Sequence, residues 1–455
     1  MTQETISKLQ QIPGLTVLTG EQIGADFCHD ELPGAEAHAP EAVCEASSTQ
    51  QVSEVLKVCS ADRVPVTVRG AGTGRAGGSV PIRGGVVLSV RGMNSICSVD
   101  EEARTMTVQP GVLLQDVKAE AGKHGLFYPP DPGEKTATIG GNISTNASGP
   151  SAGKYGRTAD YVIDAELVLA DGTVTTLRAD EANAAAAGSE GVLAVITQAT
   201  LRLIEAPKAD VILLLPFADS ETAFAAARKM LDSDFDPAVV EYMDGELIEF
   251  SGKVTGNPVF PLESDGVPAA ATLMVTLEGE SEDEVEERME EFAEFAEELE
   301  CLDILVGDSL SMKREIWSAH DAFHTSMESA KSEVEVNVNV PAEHIYELLS
   351  FAKDLGEQGG YKVMAYSHVS CGGVHIHAVS ELPKSEFKAR AAAFCDAVCT
   401  KCAELGGDAA GEYGVGYANL KYFKDSGERY AKLREAKAKL DPAGILNPGK
   451  VVELC

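Results

Sequence analysis

The chain has 455 residues, 44% hydrophobic and 24% charged, with 37 Lys and Arg against 72 Asp and Glu for a net charge of −35. That length and balance describe a globular protein of two or three domains with substantial cores. The acidity argues against nucleic acid, whose phosphates require clustered cations, and disfavours anionic membrane surfaces. No apolar run approaches the ~20 residues of a membrane-spanning helix. Met1-Thr2-Gln3-Glu4-Thr5-Ile6-Ser7-Lys8 has neither the basic nor the apolar part of a secretory signal. The ten cysteines are scattered, as expected in a reducing compartment. The expected location is the cytoplasm.

Residues 1–40 read as an entry segment ending in the irregular Asp30-Glu31-Leu32-Pro33-Gly34. Thr49 to Ala61 reads as a helix, because Val52, Val55, Leu56 and Cys59 recur at helical spacing. The β-branched run 64–68 predicts a strand. It feeds Arg69-Gly70-Ala71-Gly72-Thr73-Gly74-Arg75-Ala76-Gly77-Gly78, with five glycines in nine residues. Such a loop lets backbone N–H groups close on phosphate oxygens without Cβ clashes. It lacks the Lys-Ser/Thr ending of a P-loop, and no helix-opening G-x-G-x-x-G with an acidic residue ~20 further on follows it, as a dinucleotide fold would have. A surface turn is the alternative reading.

Strands are predicted over 85–90 and 105–109, and a short helix over 112–122. The stretch 127–149 is rich in Pro, Gly, Asn and Thr and reads as a long ligand-lining loop. A hairpin follows over 161–169 and 173–177, then the turn Gly188-Ser189-Glu190-Gly191 feeding another strand. Together these predict an α+β domain over 41–206.

Strands and helices alternate in a βαβ-like pattern after Pro207: strands 211–215, 238–242, 271–277, 333–340 and 362–366, helices 221–231, 282–300 and 342–355. This predicts a second α+β domain over 207–420. The acidic helix 282–300 keeps an apolar stripe of Val285, Met289, Phe292 and Leu299. Cys395, Cys399 and Cys402 have the spacing of an iron–sulfur ligand set, but they fall on one face of a helical stretch, where Cys packs as a small core residue. The tail 421–455 carries a helix over 430–440 and Asp441-Pro442-Ala443-Gly444-Ile445-Leu446-Asn447-Pro448-Gly449-Lys450.

Five motifs in register carry a resemblance: the glycine loop, Pro129-Pro130-Asp131-Pro132 to Asn146-Ala147-Ser148-Gly149, Lys154-Tyr155-Gly156, Gly188-Ser189-Glu190-Gly191, and the terminal Ile445-Leu446-Asn447-Pro448-Gly449-Lys450. Over nearly its whole length the chain resembles the FAD-linked 2-hydroxyacid dehydrogenases and oxidases, the D-lactate dehydrogenase and glycolate oxidase flavin-subunit type, within the vanillyl-alcohol-oxidase-like flavoproteins. Cys28-His29-Asp30-Glu31-Leu32 and 127–145 resemble the lactate dehydrogenase subunit that works with an electron-transferring flavoprotein.

The resemblance implies an α+β architecture: an FAD-binding domain of two subdomains and a cap on an antiparallel sheet, with the tail returning to the FAD domain. It implies FAD held by Arg69, Gly70, Ala71, Gly72, Thr73, Gly74 and Gly78 at the pyrophosphate. Pro130, Asp131, Thr138, Gly141, Asn142, Ser144 and Thr145 would serve the flavin and ribityl side. Glu190, Gly191 and Ile196 would line the cleft, and Asn447 would reach in from the tail. Relatives with covalent flavin carry a His in the glycine loop; none stands here, so dissociable FAD is expected.

The family's reaction takes a hydride from the α-carbon of a 2-hydroxy acid while a base takes the hydroxyl proton. Where the family's cap has an Arg for the carboxylate, this chain has His320 after Trp317. His368 and His375 keep the family's two histidines, without the Asp and Asn between them. Glu412 keeps the family's Glu, with Tyr413 in place of its His. His320, Tyr413, His368 and His375 are the catalytic candidates. His368, His375 and Glu412 are a candidate set for a divalent metal (Zn, Mn or Fe), and His377, on the same strand face as His375, is a candidate substitute ligand. The implied partners are a small hydroxyacid and an electron-transferring flavoprotein, with self-association open. Two alternatives stand beside this: another hydroxylated substrate, suggested by His320 and Tyr413, or a non-catalytic electron-relay subunit.

Overall fold

In the computed structural model, which describes residues 1–424 and 426–454, the chain forms two units. The first comprises Met1–Ser148, Arg157–Ala206 and Glu412–Cys455; the second comprises Gly149–Gly156 and Pro207–Gly411.

The first unit is built on two sheets. One has the strand order Thr16–Thr19, Ala42–Glu45, Val86–Ser89, Val66–Arg69; the first pair is antiparallel and the rest parallel. The crossover between two of its parallel strands is the helix Thr49–Asp62, capped by Ser48 Oγ accepting from Gln51 N and ended at Arg63 in the left-handed region. Its Val52, Val55, Leu56 and Cys59 are fully buried against the sheet. Thr16–Thr19 and the helix Gln3–Gln10 fall in the entry segment, to which sequence assigned no elements. That strand lies at the sheet's edge, half-exposed, and so carries little apolar signal.

The other sheet is antiparallel, in the order Ile96–Asp100, Thr105–Val108, Ala194–Arg202, Val162–Leu169, Val174–Arg178. Leu114, Val117 and Ala121 of the helix Leu114–Lys123 pack into its core, with Ile139 and Ile143. These last two belong to a helix, Ile139–Thr145, inside the stretch expected to be loop. Two glycines, an Asn and the β-branched Ile139, Ile143 and Thr145 give it poor helix propensity. Packing overrides that: a Cβ on Gly140 would come within 2.6 Å of Pro110 Cβ, so only glycine lets the helix dock. The tail helix Glu428–Leu440 leads into a segment whose Leu446 bridges to Val66.

The second unit is one seven-stranded sheet in the order Leu305–Gly307, Ala209–Phe217, Ala271–Gly279, Val239–Asp244, Lys362–His368, Gly373–Ser380, Ser332–Asn339. Every adjacent pair is antiparallel. The βαβ-like alternation read from sequence is therefore not a parallel sheet. Strand–helix alternation alone does not report which strands become neighbours. The cysteine trio lies on the helix Lys384–Glu404, with Cys399 and Cys402 buried and Cys395 partly so. Among the described residues no helix is long and apolar enough to cross a membrane.

Candidate functional site

The glycine loop leaves the strand Val66–Arg69 and lines a cleft in the first unit with Gly70, Ala71, Gly72, Thr73, Gly74 and Gly78. Gly72 sits at φ +83°, and a Cβ there would fall 2.0 Å from Arg69 Nη2. A Cβ on Gly70 would fall 2.1 Å from Thr138 Oγ1. The loop is clamped from behind. Arg69 Nη1 donates to His29 O at 2.7 Å and to Ser79 Oγ at 3.4 Å. Asp30 Oδ2 accepts from Ser79 N at 3.4 Å, and Glu31 N donates to Gly74 O at 2.9 Å. Arg69 thus braces the loop and does not line the cleft.

The facing wall is the helix Ile139–Thr145 and the residue before it, through Thr138, Gly141, Asn142, Ser144 and Thr145. Ser144 Oγ donates to Gly140 O at 2.6 Å and Thr145 Oγ1 to Gly141 O at 3.1 Å. Their hydroxyl hydrogens are therefore committed to the helix, leaving oxygen lone pairs toward the cleft. Asn142 is 4% exposed, and its Nδ2 has no hydrogen-bond partner. A buried donor left without an acceptor costs ~1–3 kcal/mol, so this amide asks for an acceptor in the cleft. Pro132, Gly133 and Glu134 line the same cleft, whereas Pro130 and Asp131 do not; Pro130 is buried, and Asp131 pairs with Lys118 at 2.9 Å.

Glu190, Gly191 and Ile196 form a third side. Glu190 adopts φ +49°, a strained conformation for a non-glycine residue. Its carboxylate accepts from Val415 N at 2.6 Å and Gly416 N at 2.8 Å. Asn447 is behind the wall: Nδ2 donates to Glu190 O at 2.6 Å, and Oδ1 accepts from Val68 N at 3.2 Å. It joins the glycine loop's strand to the Glu190 turn. The tail also supplies Lys450, whose Nζ donates to Gly78 O at 2.9 Å. Sequence reading passed over Lys450 and Asp30 as site residues, because their partners lie hundreds of residues or a whole loop away. Arg75 and Tyr413 both line the cleft, with the guanidinium 5.6 Å from the ring centroid; Glu412 lines it too and accepts from Ser148 Oγ at 3.4 Å.

Burial raises Glu190 from an ordinary 4.5 to about 7 and lowers Lys450 to about 7. Between those pH values the folded chain keeps a Glu190 proton that the unfolded chain releases. Stability from this group is thus present below about pH 4.5 and declines as pH rises toward about 7. Glu190→Gln is expected to flatten that decline, on the order of 3 kcal/mol, with melting temperature followed across this window. A variant with the same slope as the parent would contradict the assignment.

In the second unit the centre is Glu241, fully buried on Val239–Asp244 and opposite His368 in the ladder. Its carboxylate lies 2.7 Å from His368 Nδ1 and 3.0 Å from His320 Nε2. Burial opposes the charged carboxylate, but His368 and His320 outweigh it and hold Glu241 below its usual range. His320, from the helix Leu310–Met327, is raised, because Asp321 and Glu241 outweigh burial. His375 stacks on Tyr366, ring centroids 4.1 Å apart, and its Nδ1 is 3.0 Å from Glu335 Oε1. Sequence reading missed Glu241, although a lone carboxylate inside Val239-Val240-Glu241-Tyr242-Met243 was a usable signal. Of the expected metal set, His368 and His375 belong to this unit and Glu412 to the first.

The first unit's cleft fits FAD on three observations: the orphaned Asn142 amide, a glycine loop whose turn excludes Cβ atoms, and a wall of small residues. A family model described as an FAD binding domain matches residues 40–178, and one described as the C-terminal domain of FAD linked oxidases matches 206–451. A D-lactate dehydrogenase of Anaerostipes hadrus is 37% identical across 99% of this chain and 98% of its own length. A D-lactate dehydrogenase of Archaeoglobus fulgidus is 34% identical across 90% and 91%, and the glycolate oxidase subunit GlcD of Bacillus subtilis 30% identical across 99% and 97%. The fold matches p-cresol methylhydroxylase with a TM-score of 0.79 at 18% identity, covering 100% of this chain and 98% of that one. The chain belongs to the FAD-linked oxidase and dehydrogenase family: it is a flavoprotein oxidoreductase with FAD as its cofactor, and its fold is of the vanillyl-alcohol-oxidase type.

Proposed function

We propose that this oxidoreductase oxidises a small 2-hydroxy acid, D-lactate by default. The observation that carries the reading is the buried Glu241–His368 pair, and the two D-lactate dehydrogenases among its relatives support the substrate class. When bound, FAD supplies the two-electron acceptor for the α-carbon hydride. Glu241, against Nδ1 of His368, keeps the ring proton on that nitrogen and leaves Nε2 as the acceptor for the hydroxyl proton. His320, raised by Asp321 and Glu241 against the effect of burial, holds positive charge for the substrate carboxylate. It does so without the two-pronged contact that an Arg makes.

In this reading FAD is held non-covalently by the glycine loop, by the Thr138 to Thr145 wall and by Glu190, Gly191 and Ile196. Arg69 and Asn447 act as braces behind it. His375 and Tyr413 complete the catalytic proposal. A divalent metal bound through His368 and His375 is the alternative to this base, because it would occupy the same Nε2 of His368, and elemental analysis separates the two cases. Electrons leave to an electron-transferring flavoprotein or a quinone-linked chain. Anaerobic addition of D-lactate should bleach the oxidised flavin absorbance, and His368→Asn should slow bleaching by about 10²–10⁴-fold. Bleaching only by other alcohols or hydroxyacids would replace D-lactate as substrate. No bleaching by any donor, with reduction only by a partner flavoprotein, would leave a relay subunit.

A further inference from the structure

The second unit holds a second cluster of ligating side chains, and the proposed hydroxyacid chemistry does not use it. Ser332–Asn339 pairs antiparallel with Gly373–Ser380, placing Glu335 opposite His377. Period-two alternation puts Glu333, Glu335, His375 and His377 on one face of this ladder. His324 approaches from the last turn of the helix Leu310–Met327. One ligand atom each from His324, Glu335 and His377 lie within 4.8 Å of one another.

Three features of this trio point to an ion. His377 is fully buried, its Nδ1 lies 3.0 Å from Glu333 Oε1, and its Nε2 has no hydrogen-bond partner. A carboxylate at Nδ1 places the ring proton there and leaves a lone pair on Nε2, the tautomer in which imidazole binds a metal with a carboxylate behind it. Leaving that buried nitrogen unsatisfied is costly. Glu335, the second member, has a nearly buried side chain set between His375 and His324, and it stands opposite His377 in the ladder. Its two oxygens are divided: Oε1 is 3.0 Å from His375 Nδ1, and Oε2 is 3.4 Å from His324 Nδ1.

We propose that His324, Glu335 and His377 bind a divalent transition-metal ion, with Zn²⁺ the best match, at a site distinct from His368, His375 and Glu412. Two imidazole nitrogens and one carboxylate oxygen suit zinc, whereas Mg²⁺ and Ca²⁺ demand oxygen ligands throughout. Three protein ligands leave a fourth position for water. An ion on Oε2 of Glu335 leaves Oε1 for His375, so occupancy fixes the orientation of a ring in the proposed catalytic set.

The test is zinc binding to the chelator-stripped holoflavoprotein, read by equilibrium dialysis and elemental analysis. The proposal expects His377→Ala and His324→Ala each to lose one tightly bound equivalent that His368→Ala retains. Glu333→Gln, which touches no metal, should weaken that same equivalent by about 10–100-fold. Wild-type zinc content unchanged by either His377→Ala or His324→Ala would overturn the proposal, as would an absence of zinc in the wild type or its loss only in His368→Ala. Far-ultraviolet circular dichroism selects folded variants, and His324, on the helix and partly exposed, supplies the milder substitution if His377→Ala misfolds.

Discussion

Gly72→Val is expected to lower FAD affinity by at least about a hundredfold, roughly 3 kcal/mol, with titration of the flavin-free protein as the measurement. Two causes add. Gly72 has φ +83°, which a β-branched residue adopts only with strain, and its Cβ would stand 2.0 Å from Arg69 Nη2. Relieving that clash displaces the guanidinium from His29 O and Ser79 Oγ, the contacts that brace the loop. The damage therefore spreads along the whole cradle and not merely to one amide. Gly133→Ala is the control. Gly133 lines the same cleft, but its Cβ would meet no atom within 4 Å, so affinity should stay near wild type. Equal loss in both variants would show that cleft volume, and not the shape of the loop, sets affinity.

Glu241→Ala is the other large effect, and it acts on stability as well as turnover. Removing one member of a buried charged network leaves its partners uncompensated, at a cost of about 3–5 kcal/mol. For a unit of this size that is a fall of about 6–20 °C in melting temperature. The stranded groups are His320 and His368, both buried and both directed at the same carboxylate. Glu241→Gln keeps an acceptor of similar shape and should lose less stability. It should nevertheless lower the rate of flavin reduction, because a neutral amide no longer supports charge on His368 or His320. The sign of the pH effect follows from the depressed Glu241: its stabilisation holds at neutral pH and is lost as acid protonates the carboxylate. Melting unchanged in Glu241→Ala would remove the network as the organiser of the cap.

How much was legible in the sequence depended on whether the signal was local. The helix Thr49–Asp62 announced itself through four apolar residues at helical spacing, and the strand before the glycine loop through β-branching. The helix Ile139–Thr145 did not, because its stability comes from docking against Pro110 and not from its own residues. The glycine loop was readable as a ligand cradle, since tight turns and close backbone approach need glycine wherever they occur. The resemblance counted Arg69 among the cofactor contacts, yet its guanidinium turns back to His29 O.

The sequence by itself determined the cofactor class and most of the secondary structure, and it named the histidines proposed for the catalytic chemistry. These rest on motif order, periodicity and side-chain type, none of which requires knowing what touches what. Only the tertiary structure decided that the second sheet is antiparallel, that Glu241 unites His320 with His368, and that Glu335 lies between His375 and His324. Those pairings depend on strand register, where a shift of one residue turns every side chain to the opposite face. A carboxylate 79 residues from one histidine and 127 from the other leaves no trace in local spacing.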